Sequence, residues 1–324
     1  MRRDDNLASR RNYLPPPAKF IIFAFYFMAS SKTPIYTAFI ANIIIAATKL
    51  AAAAFTGSSA MASEGIHSLV DTSNEVLLLL GIHRSQKSPD EKRPFGYGKE
   101  LYFWSFVVSL LFFALGGGFS IYEGIEHLMH PEEVTNPVWN YAILGIAFLL
   151  DGYSLRTALK EFNRQRGPIP FWKAVRLSKD PTTFVVLFED AADVIGILIA
   201  FTGILLSQLL HLPQLDGVAS ILIGILLTMV AILLVRESYS LLMGETSSKE
   251  ELEEIMQLVE HHGDVRRVAT HLSMYMSPEE VILLLKIEFE HGRQSQDLVF
   301  VVSRLRQSIQ ENYPHYKHVF IEPV

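Results

Sequence analysis

The chain has no cysteine. That absence removes disulfides, thiolate metal sites and thiol nucleophiles together. Any metal site must therefore be built from histidine and carboxylates. HExxH, GxSxG and phosphate-loop patterns are also missing, so none of these enzymatic or nucleotide-binding signatures is present. Evenly scattered charge is missing as well. Charged residues make up 19% and apolar residues 50% of the 324, and the charges gather in clusters between long apolar runs. A soluble domain spreads its charges along its length, whereas this clustering marks a membrane protein. The net charge of −6 decides little, because the placement of Lys and Arg carries the information. No nucleic-acid partner and no resident cofactor are expected.

Six stretches are long enough to cross about 30 Å of hydrocarbon at roughly 20 residues each. They fall near 34–55, 59–82, 101–127, 138–159, 182–208 and 216–241. Three connectors, 56–58, 130–136 and 209–215, contain no Lys or Arg. The connector 83–100 holds Arg84, Lys87, Lys92, Arg93 and Lys99, and 160–181 holds Lys160, Arg164, Arg166, Lys173, Arg176 and Lys179. Basic residues thus alternate between the two sides. The positive-inside rule then places both termini and both basic loops in the cytoplasm of a cell membrane. Residues 1–33 form a separate N-terminal segment. Phe20 to Met28 is apolar but too short to span, and no convincing cleavage site follows it. The first 27 residues are read as disordered, peripheral or an over-long gene model.

The texture changes after residue 245. Glu250 to His262 carries Leu252, Ile255, Met256 and Val259 at helical spacing. Residues 265–276 and 280–290 read as strands around a tight turn at Ser277–Pro278, and Ser295 to Tyr313 reads as an amphipathic helix. Lys317 to Glu322 closes with a strand. The expected fold is an α-helical membrane protein: a six-transmembrane-helix bundle over 34–245, with a small cytoplasmic α+β (αββαβ) domain over 246–324. A domain of that size is marginal alone, which favours pairing with a second copy.

Charge inside a bilayer is costly, so each buried acid needs a reason. On the second helix His67 and Asp71 are four apart and share a face, with Glu64, Asn74 and Glu75 continuing the stripe. On the fifth, Glu189 and Asp193 are four apart, flanked by Ala191, Ala192 and Gly196, which permit close helix contact. The two helices run antiparallel, and counting about 1.5 Å per residue brings all four side chains into one central slab. One histidine nitrogen and three carboxylates can hold a divalent cation. The expected metal ligands are therefore His67, Asp71, Glu189 and Asp193.

Other polar residues support weaker readings. Asp151 on the fourth helix can relay protons, line the pathway or serve structure alone. Asp190 lies one residue off the Glu189–Asp193 face. Lys49 is expected to snorkel from the first helix. Gly116 to Gly118 lies inside an apolar span and reads as a helix-packing surface. His83 and Asp90 are a candidate peripheral pair. His261, His262, His271 and His291 read as surface residues.

Three segments carry a resemblance. Glu64-Gly-Ile-His67-Ser-Leu-Val-Asp71, Arg93-Pro-Phe-Gly-Tyr-Gly-Lys99-Glu100, and Tyr122-Glu123-Gly-Ile125-Glu126-His-Leu128 followed by Pro131 resemble the cation diffusion facilitator family. The likeness runs over nearly the whole chain from about residue 32. It implies a homodimeric antiporter that exports Zn²⁺ or a similar ion against inward protons. The family pattern on the second helix matches at His67 and Asp71. On the fifth it matches at Asp193, but Glu189 stands where the family usually has His or Asp. The loop 160–181 lacks the histidines many relatives carry, and Phe320-Ile321-Glu322-Pro323 keeps only an acid at a common cytoplasmic metal position. Zn²⁺ is expected first, with Mn²⁺, Fe²⁺ or Co²⁺ as further cargo. A passive divalent-cation channel and a membrane-embedded metalloenzyme are the alternatives.

Overall fold

The structure, a computed structural model, describes residues 33–290 and 295–324. The expectations for the N-terminal segment and for His291 lie outside the described residues. The helices run in the order α1 (Thr33–Thr56), α2 (Ser59–Ser85), α3 (Lys99–Leu111), a π-helical turn (Phe112–Gly117), α4 (Gly118–Met129), α5 (Val138–Arg166), α6 (Phe171–Leu177), α7 (Pro181–Leu210) and α8 (Gln214–Met243). Then come α9 (Lys249–Glu260), β1 (Val265–Ser277), β2 (Glu280–Phe289), α10 (Ser295–Asn312) and β3 (His318–Pro323).

Local chemistry sets the breaks between these elements. α1 ends at Gly57, whose φ of +71° is easy only for glycine and whose N–H donates to the Ala53 carbonyl at 2.8 Å. Ser58 then caps α2 by accepting from the Met61 N–H. Asp180 caps α7 through the Thr182 N–H, with Pro181 in the first turn. Ser248 caps α9 in the same way through Glu251. α5 continues to Arg166, past the expected end near 159, because its last two turns are amphipathic rather than apolar. α6 was not expected. Its buried Ala174 and Val175, with Phe171 edge-on to Phe162 and Phe188, tuck the second basic connector under the bundle.

Among the described residues, three helices are long and apolar enough to cross a membrane by composition alone: Lys99–Met129 taken across the π turn, α5 and α8. α2 and α7 are 27 and 30 residues long, but their apolar character is interrupted by acids, which is where the chemistry sits. The bundle core is filled by Met61, Phe112, Leu144, Ile197, Ile204, Ile223 and Leu227, all essentially buried. The expected packing surface around Gly117 meets α8. A Cβ at Gly117 would lie 3.3 Å from the Gly224 carbonyl, and one at Gly224 would lie 2.8 Å from the Ile121 N–H nitrogen. Here the two backbones touch, which side chains would forbid.

In the C-terminal segment β1 pairs antiparallel with β2, and β2 pairs parallel with β3. Val281, Leu283, Leu285 and Ile287 alternate along β2 onto one face, covered by Ile255, Val259, Leu305 and Ile309 from α9 and α10. The parallel pairing needs a crossover, and α10 supplies it. Both basic connectors lie at this end of the bundle. Lys179 pairs with Glu245 and sits over the Tyr275 ring, while Phe95 packs edge-on against His318. The connectors without Lys or Arg gather at the other end, where the Thr135 N–H donates to the Thr56 carbonyl at 2.9 Å.

Candidate metal site

α2 and α7 cross so that His67 meets Asp193. His67 Nε2 lies 3.1 Å from Asp193 Oδ1, and its Nδ1 lies 3.2 Å from Asp71 Oδ2. These three residues offer donor atoms that all lie within 4.8 Å of one another. Despite the short separations, neither His67 nitrogen, neither Asp71 oxygen nor Asp193 Oδ1 makes a hydrogen bond, and all are buried. Buried polar atoms normally end in hydrogen bonds, so donors that converge this closely without one are placed to share a further partner. A nitrogen and two carboxylates suit a divalent cation.

Glu189, the fourth expected ligand, is buried but engaged elsewhere. Its Oε1 accepts from Asn74 Nδ2 at 2.7 Å, and it does not belong to the converging set. Asn74 lies one turn beyond Asp71, so the pair stands adjacent to the site. Asp190 faces α5, where Ser154 Oγ donates to it at 2.8 Å. The peripheral pair does not form as expected. Asp90 is taken up by its own loop, accepting from the Tyr97 hydroxyl at 2.6 Å and the Arg93 N–H at 2.7 Å. Those bonds hold its carboxyl below the usual range.

Three features of the site have weak or no sequence signal. Phe112 sits edge-on to the His67 ring at 5.2 Å between centroids, and it opens the π turn, a deformation that recurs at functional positions. Lys49 does not snorkel. It is fully buried, 3.2 Å from Glu64 Oε2, and donates to Ser68 Oγ at 2.8 Å. Asp216, at the start of α8, anchors α2. Its buried carboxylate accepts from the Ser59 N–H at 2.5 Å, the Ala60 N–H at 3.3 Å and the hydroxyls of Ser58 and Ser59 at 2.8 and 3.0 Å. The N-terminal N–H groups of α2 and the Asp216 carboxyl oxygens thus hold one another. An acid at a helix start next to a charge-free connector was the available signal.

The description of the cation efflux transmembrane domain matches residues 35–243, which spans α2, α7 and all the site residues. The chain belongs to the cation diffusion facilitator family. Cation diffusion facilitators are transporters and not enzymes. The chain is 36% identical over 216 residues to the human "Proton-coupled zinc antiporter SLC30A9, mitochondrial", covering 66% of this chain and 38% of that protein. It is 33% identical over 269 residues to the Xenopus laevis protein of the same name, covering 80% and 48%. It is 24% identical over 291 residues to the "Manganese efflux system protein MneP" of Bacillus subtilis, covering 88% and 92%. The chain therefore spans less than half the length of the antiporter relatives and nearly all of the bacterial one. As a cation diffusion facilitator it is a membrane protein.

Proposed function

We propose that this protein exports divalent metal cations by exchange with protons, Zn²⁺ first, through six spans. The reading rests on the His67–Asp71–Asp193 cluster, whose buried donor atoms converge within 4.8 Å of one another. The ion approaches from the side of the basic connectors and displaces protons from these donors. Rocking of the helices then opens the site to the other side, where protons reload it. Residues 246–324 form the cytoplasmic domain, through which two copies pair. In sealed proteoliposomes, saturable Zn²⁺ uptake that requires a proton gradient is the expected result. Non-saturating flux indifferent to protons would indicate a channel instead.

The orientation has its own test. Reporters fused after Val324 or inserted at Gly167 are expected on the cytoplasmic side, and one inserted near Asn136 on the opposite side. A cytoplasmic signal at Asn136 would refute six spans with this orientation.

Glu189 bears on selectivity. Carboxylates suit harder ions such as Mn²⁺, whereas Zn²⁺ favours nitrogen donors in tetrahedral sites. We propose that Glu189 leaves Asn74 to become the fourth ligand when an ion binds, and that Mn²⁺, Fe²⁺ or Co²⁺ are also carried. Glu189→His is expected to shift the Zn²⁺ over Mn²⁺ preference upward by about 10-fold in competition uptake. Identical ion ranking in both proteins would remove Glu189 from the ligand set.

A further inference from the structure

Glu64 lies on the same face of α2 as His67, three residues earlier, so it stands about 4.5 Å further toward the end whose connectors lack Lys and Arg. Its side chain is fully buried. Lys49 holds one oxygen, Oε2, while the other, Oε1, has no hydrogen-bond partner. That free oxygen points at Gly196 on α7, three residues beyond Asp193, and a Cβ at that position would collide with it. The glycine thus leaves room for a carboxylate oxygen between the two helices that carry the site. Lys49 spends two of its three N–H donors on Glu64 and Ser68.

A structural strut between α1 and α2 would not need an orphaned oxygen aimed at α7. Replacing such a buried pair by apolar groups is often neutral or stabilising, so the pair is poor evidence for a stabilising role alone. We propose that Glu64 is a reserve metal ligand, kept off the ion by Lys49 and used as the ion moves outward from His67, Asp71 and Asp193. In the inward-loaded state the ammonium neutralises Glu64 and lowers the negative potential at the triad. When the helices move, Glu64 leaves Lys49 and takes the departing ion, and Lys49 is left to repel it onward. This rests on the export reading above.

The test is equilibrium binding of Zn²⁺ and Mn²⁺ to the full-length protein in detergent, with transport rates measured in proteoliposomes. Lys49→Gln keeps a donor for Glu64 but removes the charge. It is expected to tighten binding of both ions about 10-fold, more for Mn²⁺ because the gained donor is an oxygen, and to slow turnover. Lys49→Met should do the same if it folds; Lys49→Gln serves if it does not. Glu64→Gln is expected to weaken binding, and the double variant Lys49→Gln/Glu64→Gln to lose the gain of Lys49→Gln. Opposite signs alone follow from any charge pair near a cation; a larger gain for Mn²⁺ than for Zn²⁺, ions of equal charge, is what a mere strut cannot produce. Weaker or unchanged binding in Lys49→Gln, while the wild type binds and Asp193→Ala does not, would overturn the reserve-ligand proposal and leave the export reading standing. A wild type that binds neither ion would overturn both.

Discussion

Proteoliposomes carrying Asp193→Ala or Asp71→Ala are expected to take up Zn²⁺ no faster than protein-free vesicles, and to show no metal-driven proton movement. Each change deletes one of three donors from a small cluster, and even supporting residues around a metal are worth about 10- to 100-fold in affinity. Loss of a ligand should exceed that. In the wild type, apparent Zn²⁺ affinity should rise with pH by up to about tenfold per unit for each proton displaced, because proton and metal compete for the same lone pairs. The pH slope should flatten in either variant. The fold is expected to survive. Asp71 and Asp193 present buried oxygens that make no hydrogen bond, so removing one relieves a desolvation cost that offsets the loss of its contact with His67. The thermal midpoint in detergent should therefore hold or rise. Robust metal-driven proton flux in either variant would place the ligands elsewhere.

Asp216→Ala is expected to do the reverse. Asp216 is fully buried and accepts four hydrogen bonds, two of them from the first N–H groups of α2. Alanine leaves those donors buried without partners, at a cost of about 1–3 kcal/mol each. The total should approach the stability of an ordinary domain, roughly 5–15 kcal/mol. A sharply lower thermal midpoint and poor recovery of folded protein are the expected readouts. Asp216→Asn keeps one acceptor oxygen and should fall between. Any folded fraction should transport poorly, since α2 carries His67 and Asp71 and loses its anchor. If Asp216→Ala melts with the wild type, the anchor has no energetic weight, and the placement of α2 must come from its packing on α1 and α7.

The contrast between the site acids Asp71 and Asp193 and the anchor Asp216 was hardly legible in the sequence, where each is one carboxylate in an apolar run. What was legible follows from periodicity and composition. Leu252, Ile255 and Val259 recur at helical spacing and lie in the core of the C-terminal unit. Val281, Leu283, Leu285 and Ile287 alternate on one strand face because successive side chains point to opposite sides. Helix limits were readable wherever a glycine, a proline or a capping side chain stood at the junction, as at Gly57 and Asp180. They were not readable at α5, where an apolar helix passes into an amphipathic one without a breaker. The pairing of His67 with Asp71 was readable as well, since four residues return a helix to the same face.

The sequence by itself determined which chemistry is available: no thiol, His67 and several carboxylates on two helices, and a bundle followed by αββαβ. These depend on residue type and on spacing along one element, quantities local to the chain. Tertiary structure alone decided how those groups are shared out. Asp193 meets His67 while Glu189 turns to Asn74. Lys49 is drawn inward to Glu64 rather than outward to the membrane surface. Asp216 closes the end of a helix more than 150 residues earlier in the chain. The reason is physical. A buried polar group must find a partner, and whichever atoms the helix crossing brings within about 3 Å of it take that place.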